Sequence, residues 1–153
     1  MAIALSDLLA KENIDLALKA TTQAEAMRDL VHLLAAHGKM GDPAKFLEQL
    51  HAREQTISTF AADGIAFPHA RTDLVDQIVL AVGRSEAGIP WTGKGEQAHL
   101  IFLLAVPERL MNDYLIVIGA IVRVTKDRPL RTLLLHAETV DEFVETMLAA
   151  PSI

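Results

Sequence analysis

Residues 100–106 read Leu100-Ile101-Phe102-Leu103-Leu104-Ala105-Val106, an apolar run without a polar interruption. A strand with one wet face alternates apolar and polar residues. A continuous apolar run of strand length instead fits an interior strand covered on both faces. Residues 78–82, Ile78-Val79-Leu80-Ala81-Val82, carry the same signature. Between the two runs, residues 86–97 hold Gly88, Pro90, Gly93 and Gly95, and the whole stretch is predicted to be a loop. Upstream, Ile57-Ser58-Thr59-Phe60 and Ile65-Ala66-Phe67 are short β-favouring pieces around Asp63-Gly64, a turn signal.

Helical patterns lie on either side of these strands. Thr22-Gln23-Ala24-Glu25 reads as a capping box in which hydroxyl and carboxylate satisfy free amides reciprocally. Met27, Leu30, Val31, Leu34 and Ala35 follow at helical spacing, and Gly38 marks the stop. Asp42-Pro43 restarts a helix, with Asp42 as N-cap and Pro43 in the first turn. Its buried face carries Phe46, Leu47 and Leu50, and its predicted end is near Glu54. Residues 115–124 are rich in Ile and Val, but with their flanks they span the interval from Pro107 to Pro129 and are predicted to form a buried helix. A second capping box, Thr139-Val140-Asp141-Glu142, opens a last helix with Phe143, Val144, Met147 and Leu148 turned inward. Helices, then strands, then helices predict a three-layer α/β sandwich, a mixed sheet flanked by helices, as a single domain over residues 1–153.

Composition narrows the function. At 153 residues the chain has the length of one ordinary domain. Its 51% apolar and 22% charged residues exclude intrinsic disorder. The formal net charge of −6 supplies no field for a phosphate backbone, and no run of three Lys or Arg occurs. Nucleic acid is therefore not an expected partner, and neither is a membrane surface bound through a basic patch. The apolar runs fall short of the ~20 residues of a spanning helix, so no direct membrane insertion is expected. The first eleven residues lack a basic n-region and do not read as a secretory signal. The absence of cysteine removes disulfides, thiolate zinc sites and cysteine nucleophiles, and fits a cytoplasmic domain.

Six histidines remain as candidate chemistry. His37 and His136 close predicted helices, where a histidine caps the negative end of the dipole. His32 lies beside a buried face, His51 follows Leu50, and His99 opens a strand where water can reach it. No pair shows ligand spacing, so neither a metal nor a cofactor is expected. His69 stands apart. It follows Asp63-Gly64-Ile65-Ala66-Phe67-Pro68, with Gly64 free to turn the backbone and Pro68 fixing φ. Such a histidine is held at a strand end, either to act or simply satisfied by its own turn.

The stretch Gly64-Ile65-Ala66-Phe67-Pro68-His69-Ala70-Arg71 closely resembles the active-site motif of fructose/mannitol-type enzyme IIA domains of the phosphoenolpyruvate:sugar phosphotransferase system, a family that includes the nitrogen-regulatory IIA proteins. Arg53-Glu54 followed by Ser58-Thr59, Ile89-Pro90-Trp91, and the strand ending in Pro107-Glu108 resemble further family segments, in order and over residues 5–148. The resemblance implies a phosphoryl carrier. His69 would accept a phosphoryl group from phospho-HPr and pass it to a IIB partner or hold it as a regulatory mark. The resemblance further implies attachment at Nε2, with Nδ1–H held by a backbone carbonyl. Arg53 matches the arginine beside the histidine and would grip phosphate oxygens with its planar fork. Ser58 and Thr59 would donate to the phosphate or cap a strand end, and Arg71 would add charge.

One position departs from the pattern. Tyr114 stands where many family members carry a second histidine. A phenol donates a hydrogen bond but carries no positive charge at neutral pH. The alternative reading is therefore a regulatory module that binds a transporter, channel or kinase with weak or no phosphotransfer.

Overall fold

The computed structural model describes residues 4–149. Residues 1–3, part of the segment read for a secretory signal, and residues 150–153, the end of the predicted domain, lie outside the described residues.

The fold is built outward from the apolar run. Helix α1 (Leu5–Leu8) and strand β1 (Ile14–Asp15) are short. Helices α2 (Gln23–Ala36) and α3 (Pro43–Thr56) follow, then strands β2 (Ile65–Ala66), β3 (His69–Arg71), β4 (Val79–Pro90) and β5 (Gln97–Val106). Helices α4 (Met111–Lys126), α5 (Arg128–His136) and α6 (Val140–Met147) complete the chain. The strands form one mixed sheet in the order β1-β4-β5-β2, with β3 also on β5. Strands β4 and β5 are antiparallel, whereas β1 runs parallel to β4, and β2 and β3 run parallel to β5.

Strand β5 explains why its sequence does not alternate. Leu100, Phe102, Leu104 and Val106 enter a core with Val117, Ile121, Leu134, Phe143 and Met147 from the C-terminal helices. Ile101, Leu103 and Ala105 enter a second core with Met27, Leu30, Leu34, Phe46 and Leu50 from α2 and α3. Side chains with period two thus meet helices on both sides, and the three layers follow.

The predicted caps form, with one change of partner. Thr22 and Thr139 accept from the amides of Glu25 and Glu142, and Asp42 accepts from Lys45. The two glutamates reach one residue further back than a capping box requires, to the amides of Thr21 and Glu138.

Four expectations need correction. Residues 86–97 are not one loop, because β4 continues to Pro90 and only residues 91–96 turn. Gly88 takes φ +87°, the register shifts between Arg84 and Ile89, and Ile89 pairs with Ala98. The glycine that reads as a breaker serves a bulge. Residues 57–60 are not a strand: helix α3 ends at Thr56, near the expected Glu54, and within 57–60 only Phe60 makes a β-bridge, to Ala66. The helix at 115–124 is not buried all round: Val117, Ile121 and Val124 face the core, while Leu115 and Ile116 are exposed. Leu148 caps α6 and is exposed rather than inward.

The segment before His69 is a tight hairpin. Asp63 and Gly64 both have positive φ (59° and 77°), and the amide of Ile65 donates to Ala62 O. Positive φ at both central residues is the turn that matches strand twist. The chain then enters the edge of β5, pairing Ile65 with Leu100 and His69 with Leu104. Pro68 has no amide to give, but its carbonyl accepts from Leu104 N at 3.0 Å.

Candidate functional site

His69 opens β3 and is half-buried. Its Nδ1 lies 2.8 Å from Phe67 O. A carbonyl only accepts, so the proton sits on Nδ1 and the lone pair on Nε2. Phe67 is itself fixed. Its ring stacks on Phe102 with centroids 5.7 Å apart, and its amide donates to Thr59 O. The acceptor that sets the His69 tautomer therefore belongs to the core.

Tyr114, in the first turn of α4, is buried with its ring centroid 5.0 Å from that of His69, at an interplanar angle of 31°. The tilted contact limits rotation of the imidazole. A cleft of about 280 Å³ opens at this point, lined by Gln49, Arg53, His69, Ala70, Arg71 and Met111. The structure thus brings together His69, Arg53, Arg71 and Tyr114. Arg53 donates to Ile57 O at 2.9 Å, and Arg71 lies 3.7 Å from the Glu108 carboxylate on the surface.

Ser58 and Thr59 do not line the cleft. Thr59 is a correction to the phosphate-donor reading. Its hydroxyl donates to Glu54 at 2.6 Å and accepts from Trp91 Nε1 at 3.3 Å, so its proton is committed to holding the loop. Ser58 Oγ accepts from the Phe60 amide in a local turn. His99 is not simply solvated: it is half-buried and its Nδ1 bonds Ser85 O. His37 and His136 bond carbonyls of their own last turns, at Leu33 and Thr132.

Two cleft residues went unread in the sequence. Gln49 lies one turn before Arg53 on α3, and Met111 lies one turn before Tyr114 on α4, so the i, i+4 and i, i+3 spacings were the available signals. Among the described residues no three His, Asp or Glu side chains form a metal-binding group. None of the helices there is long and apolar enough to cross a membrane.

Burial pushes the His69 imidazole below its usual range. The bond to Phe67 O works against that, Arg53 adds to it, and Glu54 opposes it. The net effect keeps the ring neutral and nucleophilic below the ordinary histidine value of about 6.5. The unfolded chain then binds the proton more readily than the folded one. Stability therefore falls as pH drops below about 6.5, through the range between the unfolded and folded values. An NMR titration is expected to give His69 a midpoint under that ordinary value, and a midpoint above it would mean that Glu54 and the carbonyl outweigh burial. Burial likewise pushes the Tyr114 phenol up, against a smaller opposite effect of Arg53, so the phenol is neutral at pH 7.

A family model described as phosphoenolpyruvate-dependent sugar phosphotransferase system, EIIA 2, matches residues 7–150. The chain belongs to this EIIA family. It is similar to the fructose-specific EIIA component of Haloferax volcanii, 32% identical over 84% of this chain and 83% of that one. It is also similar to the fructose-specific EIIABC component of Bacillus subtilis, 30% identical over 92% of this chain, though it spans only 22% of that protein's length. Its fold is that of the nitrogen regulatory protein IIA-Ntr from Neisseria meningitidis, with TM-score 0.85 over 94% of this chain and 98% of that chain at 24% identity. The family expected from the motif around His69 and the three-layer fold expected from the order of helices and strands both hold for this EIIA chain.

Proposed function

We propose that this EIIA domain is a phosphoryl carrier in which His69 Nε2 takes a phosphoryl group from phospho-HPr and passes it to a IIB partner, or holds it as a regulatory mark. The reading is carried by one observation: Nδ1 is tied to Phe67 O, and the ring borders a cleft shared with Arg53 and Arg71. The Nε2 lone pair attacks phosphorus in line. The bond from phosphorus to the donor imidazole breaks, and its electron pair returns to the donor nitrogen. Because Nδ1 keeps its proton, the His69 ring later leaves as neutral imidazole rather than as an anion, which favours onward transfer. Phosphoryl transfer asks a protein mainly for positioning and for charge on the equatorial oxygens, and Arg53 and Arg71 are the proposed sources of that charge. The carrier as proposed works in the cytoplasm, with its donor.

The direct test is incubation with phosphoenolpyruvate, enzyme I and HPr, followed by intact mass. A gain of one phosphoryl group, stable in base and lost in mild acid, is expected. No gain in the complete mixture would refute the carrier reading.

Arg53→Lys keeps a charge but loses the planar fork. Transfer from phospho-HPr is expected to slow. Stability should change by only about 1 kcal/mol, the scale of the single bond to Ile57 O. Normal transfer with a large drop in melting temperature would assign Arg53 to the fold alone.

A second reading, a regulatory module that binds a transporter, channel or kinase with little phosphotransfer, is favoured by Tyr114 against the His69 ring. A neutral phenol offers a hydrogen bond worth roughly 0.5–1.5 kcal/mol, against about 1.5–3 kcal/mol for a charged donor. The difference, on the order of 1 kcal/mol, is several-fold in the equilibrium with phospho-HPr. Tyr114→His is expected to raise the phosphorylated fraction at fixed HPr, and Tyr114→Phe to lower it. Identical equilibria and lifetimes in all three proteins would show that Tyr114 packs on His69 without meeting the phosphate.

A further inference from the structure

A larger cleft, of about 540 Å³, lies elsewhere on the molecule, between the segment leading into α2, the bulged part of β4 and the end of α5. On β5, Arg84 of β4 pairs with Leu100, whereas His69 pairs with Leu104. The four-residue offset separates the two positions by about 13 Å along the strand, before the spacing between strands is added.

Arg84 dominates this cleft. It is half-buried, and its Nε donates to Leu16 O at 3.1 Å while Nη1 donates to Leu134 O at 2.8 Å. These bonds tie the guanidinium to two separate elements and fix its plane. Nη2 has no acceptor, and no carboxylate pairs with Arg84, among the described residues. A partly buried arginine without a counter-ion is unusual, because burial of a charge is normally compensated by pairing. Lys19 and His136 also line the cleft, against one acid, Glu86. His136 spends Nδ1 on Thr132 O and leaves Nε2 over. In a chain of net charge −6, Arg84 and Lys19 against the single Glu86 leave a local positive excess that stands against the overall field. The rest of the wall is mixed: Leu16 and Leu135 are apolar, while Thr21 and Ser85 carry hydroxyls. The volume falls in the range of small-molecule sites and exceeds what a bare anion fills.

We infer that the Arg84 cleft binds a small organic phosphate monoester, its phosphate on Arg84 Nη2 and Lys19 and its organic part against Leu16 and Leu135. The fixed fork suits phosphate oxygens, and the pre-set geometry lowers the ordering cost of binding. This site is separate from His69 and does not depend on whether His69 carries a phosphoryl group.

The test is an NMR titration of the unphosphorylated, ¹⁵N-labelled chain at low salt with phenyl phosphate as probe. Saturable shifts are expected at the amides of Lys19, Ser85 and Gly88 and at Arg84 Nε–H. Ala70 and Met111 report the His69 cleft separately. Inorganic phosphate, which lacks the organic part, and benzoate, which lacks the second charge, should both bind more weakly. Arg84→Gln is expected to weaken phenyl phosphate about tenfold or more, the scale of one charge-assisted bond. Since Arg84 also ties two carbonyls, Lys19→Glu at an exposed position is the second variant, expected to weaken binding several-fold with the folded spectrum intact. Shifts confined to Ala70 and Met111, or unchanged affinity in Lys19→Glu and Arg84→Gln alike, would overturn the site. Equal affinity for benzoate would overturn the phosphate class.

Discussion

His69→Ala is expected to abolish phosphorylation completely, with no gain of one phosphoryl mass after incubation with phosphoenolpyruvate, enzyme I and HPr. The effect is all-or-none because in the proposed transfer the imidazole supplies the attacking lone pair, and nothing else in the cleft is a neutral nitrogen nucleophile: its other side chains are amide, guanidinium, methyl and thioether. Folding should survive, because the ring contributes one bond to Phe67 O and one contact with Tyr114 from a half-buried position. Intact mass and circular dichroism on the same sample check both halves. A full phosphoryl adduct in His69→Ala would move the site to another histidine.

The second large effect is on stability. Phe102→Ala is expected to cost about 3–5 kcal/mol, read from urea unfolding. Phe102 is fully buried in the middle of β5 and stacks on Phe67. Its removal leaves a cavity between the sheet and the C-terminal helices, beneath the residue whose carbonyl orients His69. Transfer should therefore slow even where the variant is still folded. A loss below about 1 kcal/mol would mean that the helices collapse onto the gap, contrary to the close packing on this face.

Much of this architecture was legible in the sequence. The unbroken run at 100–106 announced a strand covered on both faces, and the caps at Thr22, Asp42 and Thr139 placed helix starts because capping is a local interaction. Other features depend on partners that local reading does not supply. Gly88 reads as a breaker, yet its positive φ continues β4 through a bulge because Ile89 has Ala98 to pair with. Thr59 reads as a phosphate donor until Glu54 and Trp91 claim its hydroxyl, the second from far along the chain. Leu115 and Ile116 carry the hydrophobicity of a buried helix but lie on the turn of α4 away from the core. At the site, a rigid turn and a recognisable motif marked His69. The neighbours Gln49 and Met111 are ordinary helix residues whose place in the cleft arises only when α3 and α4 meet the sheet edge.

In the proposed carrier, Phe67 O holds the proton on Nδ1 and thereby presents Nε2 for phosphorylation. NMR of the His69 ring nitrogens, in the free chain and after incubation with phosphoenolpyruvate, enzyme I and HPr, tests it most directly. A proton on Nδ1 before transfer and phosphorus coupled to Nε2 after it are expected. A free-state proton on Nε2, or phosphorus attached at Nδ1, would contradict it.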